Sequence, residues 1–154
     1  MESPSLSSCL RPPRIAMGLL AAAVAAHAAI GSREGWRLFA APAAGGFLAA
    51  TGALLMLWAW GVFRRRGIPV RPAERSGALA VRGPFRVSRN PMVLGMAAML
   101  GGAALWMGTL PFYAAALVFV GVIDRVFIPF EEARLEKEFG AAYSRYRSRV
   151  RRWI

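Results

Sequence analysis

The stretch "GGFLAATGALLMLWAWGVF", Gly45 to Phe63, carries no charge and stops abruptly at Arg64, Arg65 and Arg66. No other feature restricts the fold as strongly. A helix of roughly 17–25 apolar residues is what bilayer hydrocarbon demands, because each backbone polar group must be satisfied within its own segment. Gly46, Ala49, Ala50 and Gly52 are small enough to let a second helix approach closely. Three further apolar runs accompany this one. "IAMGLLAAAVAAHAAI" extends from Ile15 to Ile30, and the run from Pro91 to Phe130 is interrupted by "WMGTLPFY". Gly108, Thr109 and Pro111 break the pattern there and predict a tight turn between two helices. The expectation is an all-α integral membrane protein, a single membrane domain over residues 1–154. Its transmembrane helices fall at about 14–31, 43–63, 91–108 and 111–130. The first run has a second reading as a signal peptide, with Arg11 and Arg14 before it and Ala26-His27-Ala28 as the processing site.

Charge orients the spans. The chain has 20 basic and 8 acidic residues, a formal charge of +12, and Lys137 is its only lysine. Such an excess can mean nucleic acid. Here the arginines flank apolar runs, so anionic headgroups and membrane topology account for them better, and membrane lipids rather than nucleic acid are the expected partners. The loop 64–90 carries Arg64, Arg65, Arg66, Arg71, Arg75, Arg82, Arg86 and Arg89 against one acid, Glu74. The turn at Gly108 carries no arginine. By the positive-inside rule the loop and both termini face the cytoplasm. Cys9 and His27 are single residues of their kinds, which argues against a disulfide, a thiolate cluster or a His-based metal site.

Two cytoplasmic pieces carry the candidate chemistry. Asn90 suits a helix N-cap and Pro91 the first helical position. The free N–H groups of that helix start, with Arg86 and Arg89 beside them, can hold a carboxylate or phosphate. A capped helix with snorkelling arginines explains the same residues. After the fourth run, "EEARLEKEFGAAYSRYRSRVRRW" sets Leu135, Phe139, Ala142, Tyr143, Tyr146, Val150 and Trp153 at three- and four-residue spacing. That is one aromatic face of a cytoplasmic helix over residues 131–152, with a bend at Gly140. Glu131 and Glu132 open it and can accept hydrogen bonds from a ribose diol or neutralise a cation. An ordinary helix terminus with a Glu131–Arg134 contact is the plainer account. Asp124 and Arg125 lie about two turns inside the fourth span, where ionisable groups are costly and point to function or to an internal ion pair.

Taken together, "GPFRVSRNPMVLG" and "EEARLEKEFGAAYSRYRSRVRRW", in that order around a hydrophobic hairpin, resemble the isoprenylcysteine carboxyl methyltransferase family, a relative of the phospholipid N-methyltransferases. The first is similar to a Gly-x-Tyr/Phe…Arg-His/Asn-Pro-x-Tyr-x-Gly pattern. The second is similar to a Glu-Glu-x-x-Leu…Phe-Gly…Tyr-x-x-Tyr…Val pattern. The resemblance runs from about Ser76 to Trp153 and implies a membrane enzyme that moves a methyl group from S-adenosylmethionine to a lipophilic acceptor. The acceptor could be a carboxylate, thiol or amine of isoprenylcysteine or phospholipid type. By position it implies cofactor contacts from Gly77, Ala78, Leu79, Ala80, Phe85, Arg89, Asn90, Pro91, Met92, Val93 and Glu131 or Glu132. Tyr143 and Tyr146 are placed to stack adenine or face the sulfonium. Arg125 would lie toward the substrate, and Arg125, Glu131 and Glu132 are the catalytic candidates. No metal is implied. Val93 departs from the family's usual Tyr, and Asn90 stands where eukaryotic members have His. Asn90 is similar to many bacterial relatives and to the phospholipid branch, and the expected location is a bacterial inner membrane. A nicotinamide-dependent membrane reductase and a non-catalytic anionic-lipid-binding protein remain open from the residues alone.

Overall fold

The computed structural model describes residues 11–30, 34–65 and 79–154. The expected contacts Gly77 and Ala78, and the loop arginines Arg66, Arg71 and Arg75, lie outside the described residues. Helix α1 spans Pro12–Ile30, α2 Pro42–Arg65, α3 Pro91–Met107 and α4 Leu110–Val122. A π-helical turn, Ile123–Phe127, joins α4 to α5, Ile128–Phe139, and α6 spans Ala141–Arg147. Among the described residues the only bridge between extended segments is an isolated one, Arg37 with Thr109. Three helices, α1, α2 and the continuous Leu110–Phe139, are long and apolar enough to cross a membrane, and α3 is a shorter apolar helix. Phe47, Leu54 and Leu117 are 76%, 67% and 73% exposed on their outer faces. Large apolar side chains displayed in such numbers suit hydrocarbon as the solvent.

Helices α2 and α3 approach backbone to backbone. A Cβ built on Gly52 would lie 2.5 Å from the Gly95 carbonyl oxygen, and one on Gly95 would lie 2.6 Å from that of Gly52. Gly45 and Gly102 repeat the reciprocal contact, each at 2.6 Å, seven residues along. Of the small residues marked in the sequence, Gly52 and Ala49 face α3, while Gly46 lies under the Trp106 ring. A second interior packs Val93, Met96 and Leu100 of α3 against Phe119, Ile123, Phe127 and Ile128. Helix α1 closes the bundle through Ala23, which packs with Ala104, Phe112 and Ala115. The turn expected at Gly108 is present. Gly108 takes the left-handed conformation, φ 62°, and donates its N–H to Ala104, while its carbonyl accepts from Leu38 at 2.7 Å.

The fourth span runs into the cytoplasmic-side helix at residue 131 without a break. Leu110–Phe139 is one 30-residue rod, about 45 Å long at 1.5 Å per residue. Pro129 explains the π turn within it. Proline lacks the N–H that would bond the carbonyl of Arg125, and its ring crowds that carbonyl. The helix widens instead, and Ile128 donates to Ile123 five residues back. The chain bends at Gly140, φ 48°, as the sequence suggested. The helix expected over residues 131–152 is therefore divided at Gly140 and ends at Arg147, leaving residues 148–154 as a tail that folds back on the bundle.

Substitution of Gly52 by Ala should destabilise the protein by about 1–3 kcal/mol through overpacking. Gly121→Ala, where a Cβ meets nothing within 4 Å, should stabilise it by up to about 1 kcal/mol through helix propensity. Thermal melts of both variants in one detergent give the comparison, and equal melting points would contradict the close-packed interface.

Candidate functional site

The tail makes the site. Arg89 donates its backbone N–H to the Arg151 carbonyl at 3.0 Å. The Arg152 carbonyl accepts from Ser88 Oγ at 3.3 Å and from Asn90 Nδ2 at 3.2 Å. Asn90 was expected to cap α3 with its side chain, but no such cap bond forms, because the amide is spent on the tail. Pro91 does occupy the first turn and is fully buried. Two residues before Asn90, Ser88 Oγ accepts the Asn90 N–H at 3.1 Å, so the three residues before α3 are tied on both sides.

Behind this junction lies a charge cluster, buried at Glu132 and Arg89 and about a third exposed at Asp124 and Arg152. Glu132 is 7% exposed. Its Oε1 lies 2.9 Å from Arg89 Nη1 and accepts from Arg152 Nε at 3.3 Å, while Oε2 accepts from Arg152 Nη2 at 3.1 Å. Arg152 extends Nη1 to Asp124 Oδ1 at 3.4 Å, and the same oxygen accepts from Trp153 Nε1 at 2.9 Å. Hydrogen bonding to Glu132 is the largest cause of a raised Arg152 pKa, with the Asp124 contacts adding to it. Two cations and two anions balance. Arg89 also donates to the Tyr143 hydroxyl at 3.3 Å, and its Nε is buried without a partner. Burial is the main cause that raises the pKa of Tyr143, with the Glu132 charge second. Tyr146 is likewise raised by burial, and its hydroxyl donates to the Phe85 carbonyl at 2.7 Å.

The other sequence candidates divide. Phe85, Ala80 and Met92 pack with Ala59 under the junction. Val93 is a core residue of the helix bundle, so its side chain contributes packing. Glu131 pairs with Arg134 at 2.6 Å, the plainer of its two sequence readings, and is separate from the Glu132 cluster. Arg125 has an 86% exposed side chain, 4.0 Å from Asp124, and is not drawn into the cluster. Ser88, Arg152 and Trp153 escaped the sequence reading as site residues. The signal for the last two was the polar–aromatic "RRW" itself, which carries no local pattern that names a partner 20–30 residues away.

Beside the cluster runs an open groove of about 660 Å³ lined by Leu79, Val81, Arg86, Ala142, Arg145, Tyr146, Arg149 and Val150. Arg86, Arg145 and Arg149 have no carboxylate partner among the described residues. Three unpaired guanidiniums on an otherwise apolar wall favour an oxyanion.

The fold and this arrangement define a helical integral membrane protein with a polar site at one end of its bundle. The phospholipid methyltransferase family profile matches residues 40–142, from the segment before α2 to the start of α6. The chain belongs to that family, whose activity is methyl transfer. An uncharacterized protein of Haemophilus influenzae is 36% identical over 63 residues, covering 41% of this chain and the whole of that protein. No solved structure matches the chain.

The two glutamates should respond differently to substitution. Glu132→Gln leaves Arg89 and Arg152 short of a counter-charge in a buried setting and should cost about 3–5 kcal/mol. Glu131→Gln removes a local i,i+3 pair and should cost less than about 1 kcal/mol. Melting points of the two variants in detergent provide the test. Similar losses would mean that the buried cluster is not a stabilising unit.

Proposed function

We propose that the protein is an S-adenosylmethionine-dependent methyltransferase whose acceptor is a lipophilic molecule reached from the bilayer. The groove is the observation that carries this reading, since family membership supplies the reaction and the groove supplies a place for its donor. Its volume falls in the roughly 300–1,000 Å³ range of small-molecule sites. The chemistry of its lining also fits the donor. Arg86, Arg145 and Arg149 suit the carboxylate, and Leu79, Val81 and Val150 with the Tyr146 ring suit the adenosine. Arg89, the sequence's choice for the carboxylate, is held by Glu132 and Tyr143, so in this reading the groove arginines take that role. Among the described residues, Arg89 Nε is a buried donor without a partner, and it lies in the cluster rather than on the groove's lining.

When bound, the donor supplies an electrophilic methyl group on a sulfonium. The chain's own residues orient it and exclude water, which is worth most for an in-line displacement. The carboxylates around the junction are engaged: Glu132 by Arg89 and Arg152, Glu131 by Arg134, and Asp124 by Arg152 and Trp153. An acceptor that arrives with an available lone pair, a carboxylate or a neutral amine, therefore suits the site better than one that needs a base. The arginine distribution supports an orientation with loop 64–90 and both termini in the cytoplasm, and a bacterial inner membrane is the location this reading takes.

Calorimetry of the detergent-purified protein should detect S-adenosylhomocysteine. Arg145→Gln with Arg149→Gln should weaken it on the order of 10–100-fold, since a charged hydrogen bond is worth roughly 1.5–3 kcal/mol. The loss should be smaller for a decarboxylated analogue. Binding of NADPH in place of S-adenosylhomocysteine would instead support a reductase, and binding of neither would support a lipid-binding role. For orientation, reporter fusions after Arg66 and after Ile154 should read cytoplasmic and one at Thr109 external. An external carboxyl terminus would separate the groove from any cytoplasmic donor.

A further inference from the structure

Residues 151–153 tie three separate parts of the molecule at one point. Their carbonyls hold Ser88, Arg89 and Asn90 before α3. The Arg152 guanidinium holds Glu132 on α5 through two nitrogens and Asp124 on the π turn through the third. Trp153 Nε1 closes on the same Asp124 oxygen. No other residue in the cluster touches all three parts.

The π turn is what makes this grip possible. Asp124 and Glu132 are eight residues apart. In a regular α-helix eight residues turn about 800°, which would leave the two carboxylates roughly 80° apart around the axis. A π turn accommodates about one extra residue. Eight residues then rotate about as far as seven do, roughly 700°, and both side chains come to the same face within about 20°. A single arginine can span them there. The distortion imposed at Pro129 thus aligns the pair that Arg152 reads.

We infer that Arg152 and Trp153 are positioning residues for methyl transfer. They hold Glu132, and through it Arg89 and the start of α3, in fixed register with the membrane-spanning rod. This inference rests on the donor reading above. Neither residue lines the groove, so each acts through others: Arg152 through Glu132 and the 88–90 segment, Trp153 through Asp124. The segments so held carry one wall of the groove at Arg86 and, through the Tyr146–Phe85 bond, its contact with α6.

The test uses the full chain in detergent, with S-adenosylhomocysteine as the probe and melting temperature recorded for every variant. Arg152→Gln should weaken binding about 10–100-fold, and Arg152→Lys, which keeps the charge but not the two-nitrogen grip, should recover part of the loss. Trp153→Phe keeps the ring and removes the N–H. It and Asp124→Ala should each weaken binding several-fold. The double variant should be no weaker than the worse single one, because Trp153 acts through Asp124. If Arg152→Gln does not fold, the Trp153 and Asp124 cycle decides. Folded Arg152→Gln or Trp153→Phe protein that loses melting temperature but keeps its affinity would make these residues purely structural and overturn the inference. Independent, multiplying losses at Trp153 and Asp124 would overturn the shared-bond coupling. Failure of the unaltered protein to bind the probe would overturn the donor reading and this one with it, whereas normal binding indifferent to residues 152 and 153 would overturn this one alone.

Discussion

A carboxylate shielded from water survives only with cations against it, and Glu132 has two, Arg89 and Arg152. That requirement shapes everything at this end of the bundle. Arg89 comes from the segment before α3, Glu132 from the rod and Arg152 from the tail, so the pairing can exist only when three distant stretches meet. Asp124 supplies the fourth charge and brings the sum to zero. The groove arginines Arg86, Arg145 and Arg149 stay outside this balance. The excess positive charge of the site therefore faces the groove, where a ligand can answer it, while the interior stays neutral.

Glycine geometry provides the stiffness beneath. The reciprocal contacts of Gly45 with Gly102 and Gly52 with Gly95 bring two backbones closer than any side chain would allow. Helix α2 then presents Ala59 and Phe63 to the residues under the junction, with the Phe63 and Phe85 rings edge to face at 5.1 Å. Packing of the spans thus reaches the polar end through aromatic contact as well as through charge.

Much of this was legible in the residues. Long apolar runs announced the helices, Gly108 and Pro111 the hairpin turn, and Gly140 the bend, because each is a local rule written in adjacent positions. The two quoted motifs meet in the fold, where residues 79–93 and 131–146 contribute to the charge cluster and to the groove beside it. What stayed hidden was long-range. Asn90 has the chemistry of a helix cap, yet a carbonyl 62 residues away takes its amide. Arg89 has the look of a surface arginine and is instead 10% exposed on its side chain, beside Glu132. Pro129 does carry a local signal, the missing donor that widens the helix before it. Only the fold reveals that the widened turn brings Asp124 round to Glu132. Val93, a ligand contact by position, became a core residue because its face of α3 meets Phe119 and Ile123.

The unbroken rod from Leu110 to Phe139 also works as a lever. Glu132 stands 22 residues from its far end, about 33 Å at 1.5 Å per residue. Apolar helices answer a change in bilayer thickness by tilting, and a tilt of about 5° around Leu110 would carry Glu132 sideways by about 3 Å on that geometry. The length of one hydrogen bond is of the same size. The cluster can therefore keep its bonds only if the segments that meet at it, residues 88–90 and 151–153, move with the rod as one body.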